Sequence, residues 1–177
     1  MSIAAKLLLL IAVLGLAACN NPDRYGAGAG GAGGAGGAGG AGGIDTTGLG
    51  DPNNPASIAY FNQTVGDRVL FAVDQSTLSP EARTVLAAQA QWLMTNGGYA
   101  AIIEGHADER GTREYNLALG ARRAAAVQNF LISQGVPANR LRTISYGKER
   151  PLAVCSEDAC YAKNRRAVTV LSAGAGV

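Results

Sequence analysis

Chemically reactive side chains are scarce in this chain. It carries one histidine (His106), three cysteines, one tryptophan and three phenylalanines among 177 residues. A zinc site, or a nucleophile–base pair built on imidazole, would have to be made around that single ring, which is a thin donor set for hydrolytic or metal chemistry. Charge of either sign is also in short supply. Fifteen Lys and Arg face thirteen Asp and Glu, a formal net charge of +2, which excludes a strongly basic nucleic-acid binder and a polyacidic tail protein on bulk charge. No apolar run is long enough to cross a bilayer. The stretch from Leu7 to Leu16 would span roughly 15 Å as a helix against a hydrocarbon core of ~30 Å. Glycine is the exception to this scarcity, with 25 copies.

The ends of the sequence account for much of this. Residues 1–18 (MSIAAKLLLLIAVLGLAA) have a basic start, a short apolar run and a small-residue exit, the pattern of a secretory signal peptide. The exit Leu16-Ala17-Ala18-Cys19 resembles the lipobox of bacterial lipoproteins, which implies Cys19 as the lipid attachment site and first residue of the mature chain. That would absorb the odd thiol, and several acyl chains on it would make a durable anchor. Asn20, rather than Asp, follows this cysteine and leans towards the outer membrane under the enterobacterial sorting rule. Residues 26–43 are 12 Gly and 6 Ala and nothing else. Without a side chain larger than methyl, nothing offsets the entropy of ordering them, so the segment reads as a flexible leash. Residues 44–57 continue in turn-formers, and the 38 residues from 20 to 57 would coil over about 31–37 Å.

A folded domain is expected over residues 58–172, followed by a short tail, 173–177. Asp67–Val73 predicts a first strand. Ser79-Pro80-Glu81 is a helix start, with a capping hydroxyl, a proline at the first helical position and an acid on the positive end of the dipole. The helix runs to about Thr95 and is stopped by Asn96-Gly97-Gly98, with Val85, Leu86, Ala90, Trp92 and Leu93 as its apolar face. Tyr99–Glu104 is a second strand and Gly105–Gly111 a loop. A second helix covers about Arg113–Gln134, Arg140–Tyr146 is a third strand, Ala162–Arg165 a short helical turn, and Arg166–Leu171 a fourth strand. Strands alternating with helices in the order βαβαββ predict an α/β two-layer sandwich, two main helices on a four-stranded mixed sheet.

One helix breaks its own pattern. Asn116 and Arg123 lie seven residues apart on the stripe that includes Leu119, Val127 and Phe130, so two polar side chains face the sheet. Buried arginine demands a partner. It is met either by a structural ion pair or by a ligand carboxylate or phosphate that the planar fork can grip. Asp108, in the Gly-bracketed loop before that helix, is either a turn-former or the matching acid. Together the two would suit a zwitterion, with Asp108 for an ammonium and Arg123 for a carboxylate.

The twenty residues Gly105-His-Ala-Asp-Glu-Arg-Gly-Thr-Arg-Glu-Tyr-Asn-Leu-Ala-Leu-Gly-Ala-Arg-Arg-Ala124 resemble the central signature of OmpA-like peptidoglycan-binding domains. Asn164-Arg165-Arg166-Ala167-Val168 is similar to the family's closing motif, and the resemblance spans 67–171. It implies binding of the meso-diaminopimelate side chain of the peptidoglycan stem peptide, whose amine and carboxylate share one carbon. On this basis Asp108 meets the ammonium, Arg123 meets the carboxylate, and Asn116 and Leu119 line the pocket. Asp74 and the residue before it touch the stem peptide, and His106 shapes the pocket loop with its imidazole near the ligand. Ala107 stands where the family usually has Thr, and Ala72 and Val73 where it has aromatic or acidic residues. Arg122 falls about 100° round the helix from Arg123, towards solvent, and Arg165 and Arg166 read as structural. No enzyme activity, cofactor or metal is implied. With the lipobox, the resemblance implies an outer-membrane lipoprotein whose domain faces the periplasm and belongs to the Tol envelope machinery of cell division, with a TolB-like β-propeller and TolA-like proteins as partners. The alternative is another OmpA-like envelope lipoprotein outside that machinery. A flagellar stator subunit would need a full transmembrane helix.

Cys155 and Cys160 sit in the long loop (CSEDAC). In an oxidising periplasm, with Cys19 taken by lipid, they are expected to form a disulfide rather than a redox or metal site, since the spacing is not C-x-x-C.

Overall fold

The computed structural model describes residues 49–174. The signal segment, Cys19 and the Gly/Ala run lie outside the described residues, as does most of the tail. The chain enters as a short helix, α1 (Ile58–Tyr60), that widens into a π-helical turn over Phe61–Gly66. Then follow β1 (Arg68–Leu70), α2 (Pro80–Thr95), β2 (Tyr99–His106), α3 (Arg113–Ser133), a 3₁₀ turn at Ala138–Arg140, β3 (Leu141–Gly147), α4 (Asp158–Asn164) and β4 (Arg166–Ala173). The sheet order is β1-β4-β2-β3, with β2 and β3 parallel and the other pairs antiparallel. This is the expected α/β sandwich with a mixed sheet. No described helix is long and apolar enough to cross a membrane.

The helix starts are those the sequence encodes. Ser79 accepts from Ala82 N and caps α2, and Thr112 accepts from Tyr115 N and caps α3. Each hydroxyl satisfies one of the donors that a helix start leaves orphaned. Core residues come from one face of the sheet and from α2 and α3. Leu86, Leu93, Ile103, Val127 and Leu131 have no exposed surface, and each such side chain contributes roughly 1.5–3 kcal/mol on burial. Most polar groups inside are paired, the His106 ring nitrogens being an exception. Gln89 donates to Gly66 O at 2.7 Å and accepts from Thr169 Oγ1 at 2.8 Å.

Several boundaries differ from the sequence expectation, among them the end of β4, which runs two residues further to Ala173. Residues 49–57 belong to the domain rather than to the leash. Trp92 Nε1 donates to Pro55 O and Tyr99 Oη to Ala56 O, both at 2.7 Å, and Ser57 is fully buried. The indole lies between Phe61 and Tyr99, 5.0 and 5.1 Å away between ring centroids, so an aromatic cluster anchors this strap. β1 is only three residues long. Phe71 N still bonds to Arg165 O, but Ala72–Gln75 closes a turn in which Asp74 has φ 58°, a left-handed conformation that Asp tolerates. As an edge strand, β1 has no outer neighbour to keep it extended. β2 runs two residues past its expected end because β3 and β4 pair with it up to Gly105 and His106. Arg140 falls outside β3, in the 3₁₀ turn, where it donates to Tyr99 O and Asn96 O. The last helical turn is longer and earlier, at Asp158–Asn164.

Gly105 carries a structural duty rather than ending a strand. A Cβ there would sit 1.8 Å from Gly120 O, and one on Gly120 would lie 2.4 Å from Ser145 Oγ and 2.8 Å from Gly105 O. The backbone of α3 therefore rests directly on β2 with no side chain between them. This contact fixes how the start of α3 stands over the end of β2.

Candidate functional site

Where those two ends meet, an open cavity of about 320 Å³ is lined by Val73, Asp74, Asp108, Arg110, Gly111, Tyr115, Asn116, Leu119 and Arg123. The β1–α2 loop, the β2–α3 loop and the first three turns of α3 each supply one wall. Five of the six ligand-binding residues expected from sequence are thus brought together: Asp74, Asp108, Asn116, Leu119 and Arg123. Cys155 and Cys160 are joined as a disulfide. Cys19 lies outside the described residues.

His106 does not line the cavity. Strand alternation turns its ring to the other face of the sheet, where it stacks on Tyr146 at 5.6 Å between centroids. Only its carbonyl reaches the site. Arg123 Nη1 donates to it at 2.8 Å.

Arg123 has no exposed surface. Besides His106 O, its guanidinium donates to Gln75 O at 2.8 Å and Ala72 O at 3.1 Å, and its carbon lies 5.1 Å from the Phe71 ring centroid. It holds both ends of the Ala72–Gln75 turn that carries Asp74 and ties that turn to the end of β2. Three of its five N–H groups are used, which leaves two. None of its partners is a carboxylate, so its charge is buried and solvated only by carbonyl dipoles. Burial pushes its pKa down to about 10, with Asp108 pulling the other way, so it stays cationic at neutral pH.

Asp108, 8% exposed, is the opposite case. Its Oδ2 accepts from Arg110 Nη2 at 2.8 Å and Arg165 Nη1 at 3.1 Å, and its Oδ1 accepts from its neighbour Arg110 N at 3.2 Å. Burial works against its charge, but these hydrogen bonds outweigh it and hold the carboxyl below its ordinary range. Asn116 is buried and donates through Nδ2 to Arg110 O at 2.6 Å, which sets the height of the loop over α3. Tyr115 donates to Asp74 Oδ1, so the mouth of the cavity is spanned by a hydrogen bond.

Sequence reasoning missed Arg110, Tyr115 and Gly111 as members of the site; it gave Arg165 the task of tying the last strand to a nearby carboxylate or carbonyl, which it does at Asp108 and Phe71 O, but did not name Asp108. Arg110 and Gly111 were findable, being within three residues of Asp108 in a loop bracketed by glycine. Arg165 lies 57 residues away from Asp108, and nothing local marks the contact. Arg166 reaches only main-chain carbonyls, of Asn164 and Arg150. Arg122 is exposed, as expected. Among the described residues no group of three or more His, Cys, Asp or Glu could hold a metal ion.

The fold and cleft together have known counterparts. A family model described as the OmpA family matches residues 70–165. The chain is 61% identical over 122 residues to the peptidoglycan-associated lipoprotein of Mesorhizobium japonicum, covering 69% of this chain and 72% of that protein. It is 50% identical to the peptidoglycan-associated lipoprotein of Brucella melitensis over 98% of this chain and 93% of the relative. The crystal structure of the peptidoglycan-associated lipoprotein from Burkholderia pseudomallei superposes with a TM-score of 0.62 at 37% identity, covering 70% of this chain and 98% of that one. The C-terminal domain of Helicobacter pylori MotB, at 23% identity and a TM-score of 0.57, shares the fold alone. The chain therefore belongs to the OmpA family and, within it, to the peptidoglycan-associated lipoproteins.

Proposed function

We propose that this protein is an outer-membrane lipoprotein that holds the cell wall non-covalently by gripping the meso-diaminopimelate of the stem peptide. The observation that carries the reading is the pair of opposite charges in one cleft, Arg123 and Asp108, both buried and not bonded to each other. A buried guanidinium with carbonyl partners only is a strong attractor for a carboxylate. An ionised carboxyl at the same cavity suits the ammonium on the same ligand carbon. Asn116 and Leu119 supply the polar and apolar walls, Asp74 the rim. The role is binding rather than catalysis, in keeping with the peptidoglycan-associated lipoproteins to which the chain is similar. The names of the relatives agree with peptidoglycan as the ligand.

Cys19 carries the acyl chains in this reading, and the Gly/Ala segment lets the domain reach the wall from the outer membrane. TolB-like and TolA-like proteins are the partners, within the Tol–Pal system that maintains the envelope and constricts it at division. The test is co-sedimentation of the detergent-solubilised full chain with diaminopimelate-type sacculi. Wild type should pellet, and Asp108→Ala and Arg123→Ala should not while keeping a native far-UV spectrum. Amidated diaminopimelate should bind more weakly, since Arg123 loses its charge partner. Unchanged pelleting of both variants would refute the assignment.

A further inference from the structure

The loop between β2 and α3 carries Asp108, Glu109 and Arg110 in succession, and each is held by a different residue at the end of the chain's last helix. Arg165 Nη1 donates to Asp108 Oδ2 at 3.1 Å and its Nε to Phe71 O at 3.2 Å. Asn164 Nδ2 donates to Glu109 Oε1. The Arg110 guanidinium lies over the Tyr161 ring, 4.8 Å from its centroid. Positions 161, 164 and 165 are spaced i, i+3, i+4, so they share one helical face. Asn164 is fully buried and also accepts from Leu152 N at 2.7 Å and Ala153 N at 3.0 Å. One amide side chain thus ties the binding loop to the β3–α4 loop.

α4 has seven residues, and no side chain caps its start. Such a helix has little stability of its own. What fixes its beginning is covalent: the Cys155–Cys160 disulfide joins the preceding loop to the first turn. Both cysteines are half-buried, within reach of a small thiol. The core of α2, α3 and the sheet does not depend on the bridge.

We propose that Tyr161, Asn164 and Arg165 are positioning residues for the binding loop and that the Cys155–Cys160 disulfide locks α4 in place, so that a thiol reductant weakens binding at the cleft without unfolding the domain. The binding half of this rests on the reading of the cleft as the diaminopimelate site. The redox step is a two-electron exchange with a dithiol. The S–S bond breaks, Cys155 and Cys160 each take up a hydrogen, and the reductant closes to its own cyclic disulfide.

The experiment uses the full chain in detergent, oxidised, dithiol-reduced and as the Cys155→Ser/Cys160→Ser double variant. Two readouts are taken: amide hydrogen exchange at residues 107–111, which needs no ligand, and affinity for a diaminopimelate-containing muropeptide. Reduction and the double variant should speed exchange in 107–111 and leave α2 amides and Trp92 fluorescence unchanged. Affinity should fall about fivefold to tenfold, the cost of ordering a loosened loop on binding. Arg165→Lys keeps the charge but cannot reach Phe71 O and Asp108 together, so it should fall between wild type and Arg165→Met. Equal exchange in oxidised and reduced protein overturns the proposal. Faster exchange with no muropeptide binding in any form supports the positioning role and overturns the reading of the cleft.

Discussion

Protonating His106 should destabilise the fold by an amount that can be worked out. Its imidazole is 2% exposed, and neither ring nitrogen has a hydrogen-bond partner. A charge formed there would face the guanidinium groups of Arg166 and Arg150, with Tyr146 stacked on the ring and only Glu104, 3.5 Å from Nε2, of opposite sign. Burial, then Arg166 and Arg150, push its pKa from 6.5 down to about 4. The unfolded chain takes up this proton near the ordinary value, whereas the folded protein takes it up only at about 4. Between these limits the unfolded state holds up to one proton more, so stability falls as pH falls. The contribution is fully present above the unfolded pKa and fully lost below the folded one. The loss is at most about 1.4 kcal/mol per pH unit and about 3 kcal/mol in all, or roughly 10 °C in melting temperature. Urea unfolding followed by Trp92 fluorescence, at a series of pH values through this window, measures it. His106→Phe keeps the stack on Tyr146 and has no proton to gain, so its stability should fall less steeply. Asp108, held below its ordinary range, adds an acid loss of the same sign at lower pH, and this cancels between the two proteins. Parallel curves for wild type and His106→Phe, or an imidazole NMR titration with an unshifted midpoint, would refute the reasoning.

Three further outcomes are expected. Gly105→Ala drives a methyl into Gly120 O and should cost about 3 kcal/mol or more in denaturant unfolding, whereas Gly97→Ala, with nothing within 4 Å of its Cβ, should stay within about 0.5 kcal/mol. Ser79→Ala removes the α2 cap and should cost about 1 kcal/mol by the same measurement. Tyr115→Phe breaks the hydrogen bond to Asp74 across the mouth of the cleft, so stopped-flow mixing with a muropeptide should show a faster association rate; an unchanged rate would mean the contact does not gate access.

The helices were legible because their signals are local. Ser79-Pro80 announces the start of α2, and the seven-residue spacing of Asn116 and Arg123 announces a polar inward face on α3. The partners of that face were not legible. Arg123 was expected to pair with a carboxylate or wait for one, yet its resting partners are the carbonyls of Ala72, Gln75 and His106, and carbonyls leave no mark in a sequence. The orientation of His106 leaves no sequence signal either: β2 runs two residues beyond Glu104 and turns the ring to the other face. Residues 49–57 have the Pro and Asn content of a turn, which by itself assigns them to the leash. Their place in the domain comes from Trp92 and Tyr99, side chains 37 and 43 residues downstream that seek their carbonyls.

The strap of residues 49–57 is fastened at Tyr99, the first residue of β2, while the cleft opens just past His106, the last. Part of any pull between the strap and a ligand held in the cleft is therefore carried along β2, roughly 26 Å end to end at about 3.3 Å per residue. β2 is an inner strand, flanked by β4 and β3. Tension along its axis is borne by the covalent backbone of β2 itself, and neither row of inter-strand hydrogen bonds has to be peeled open. Under the proposed reading, this inner strand joins the side of the domain facing its membrane anchor to the side holding the wall.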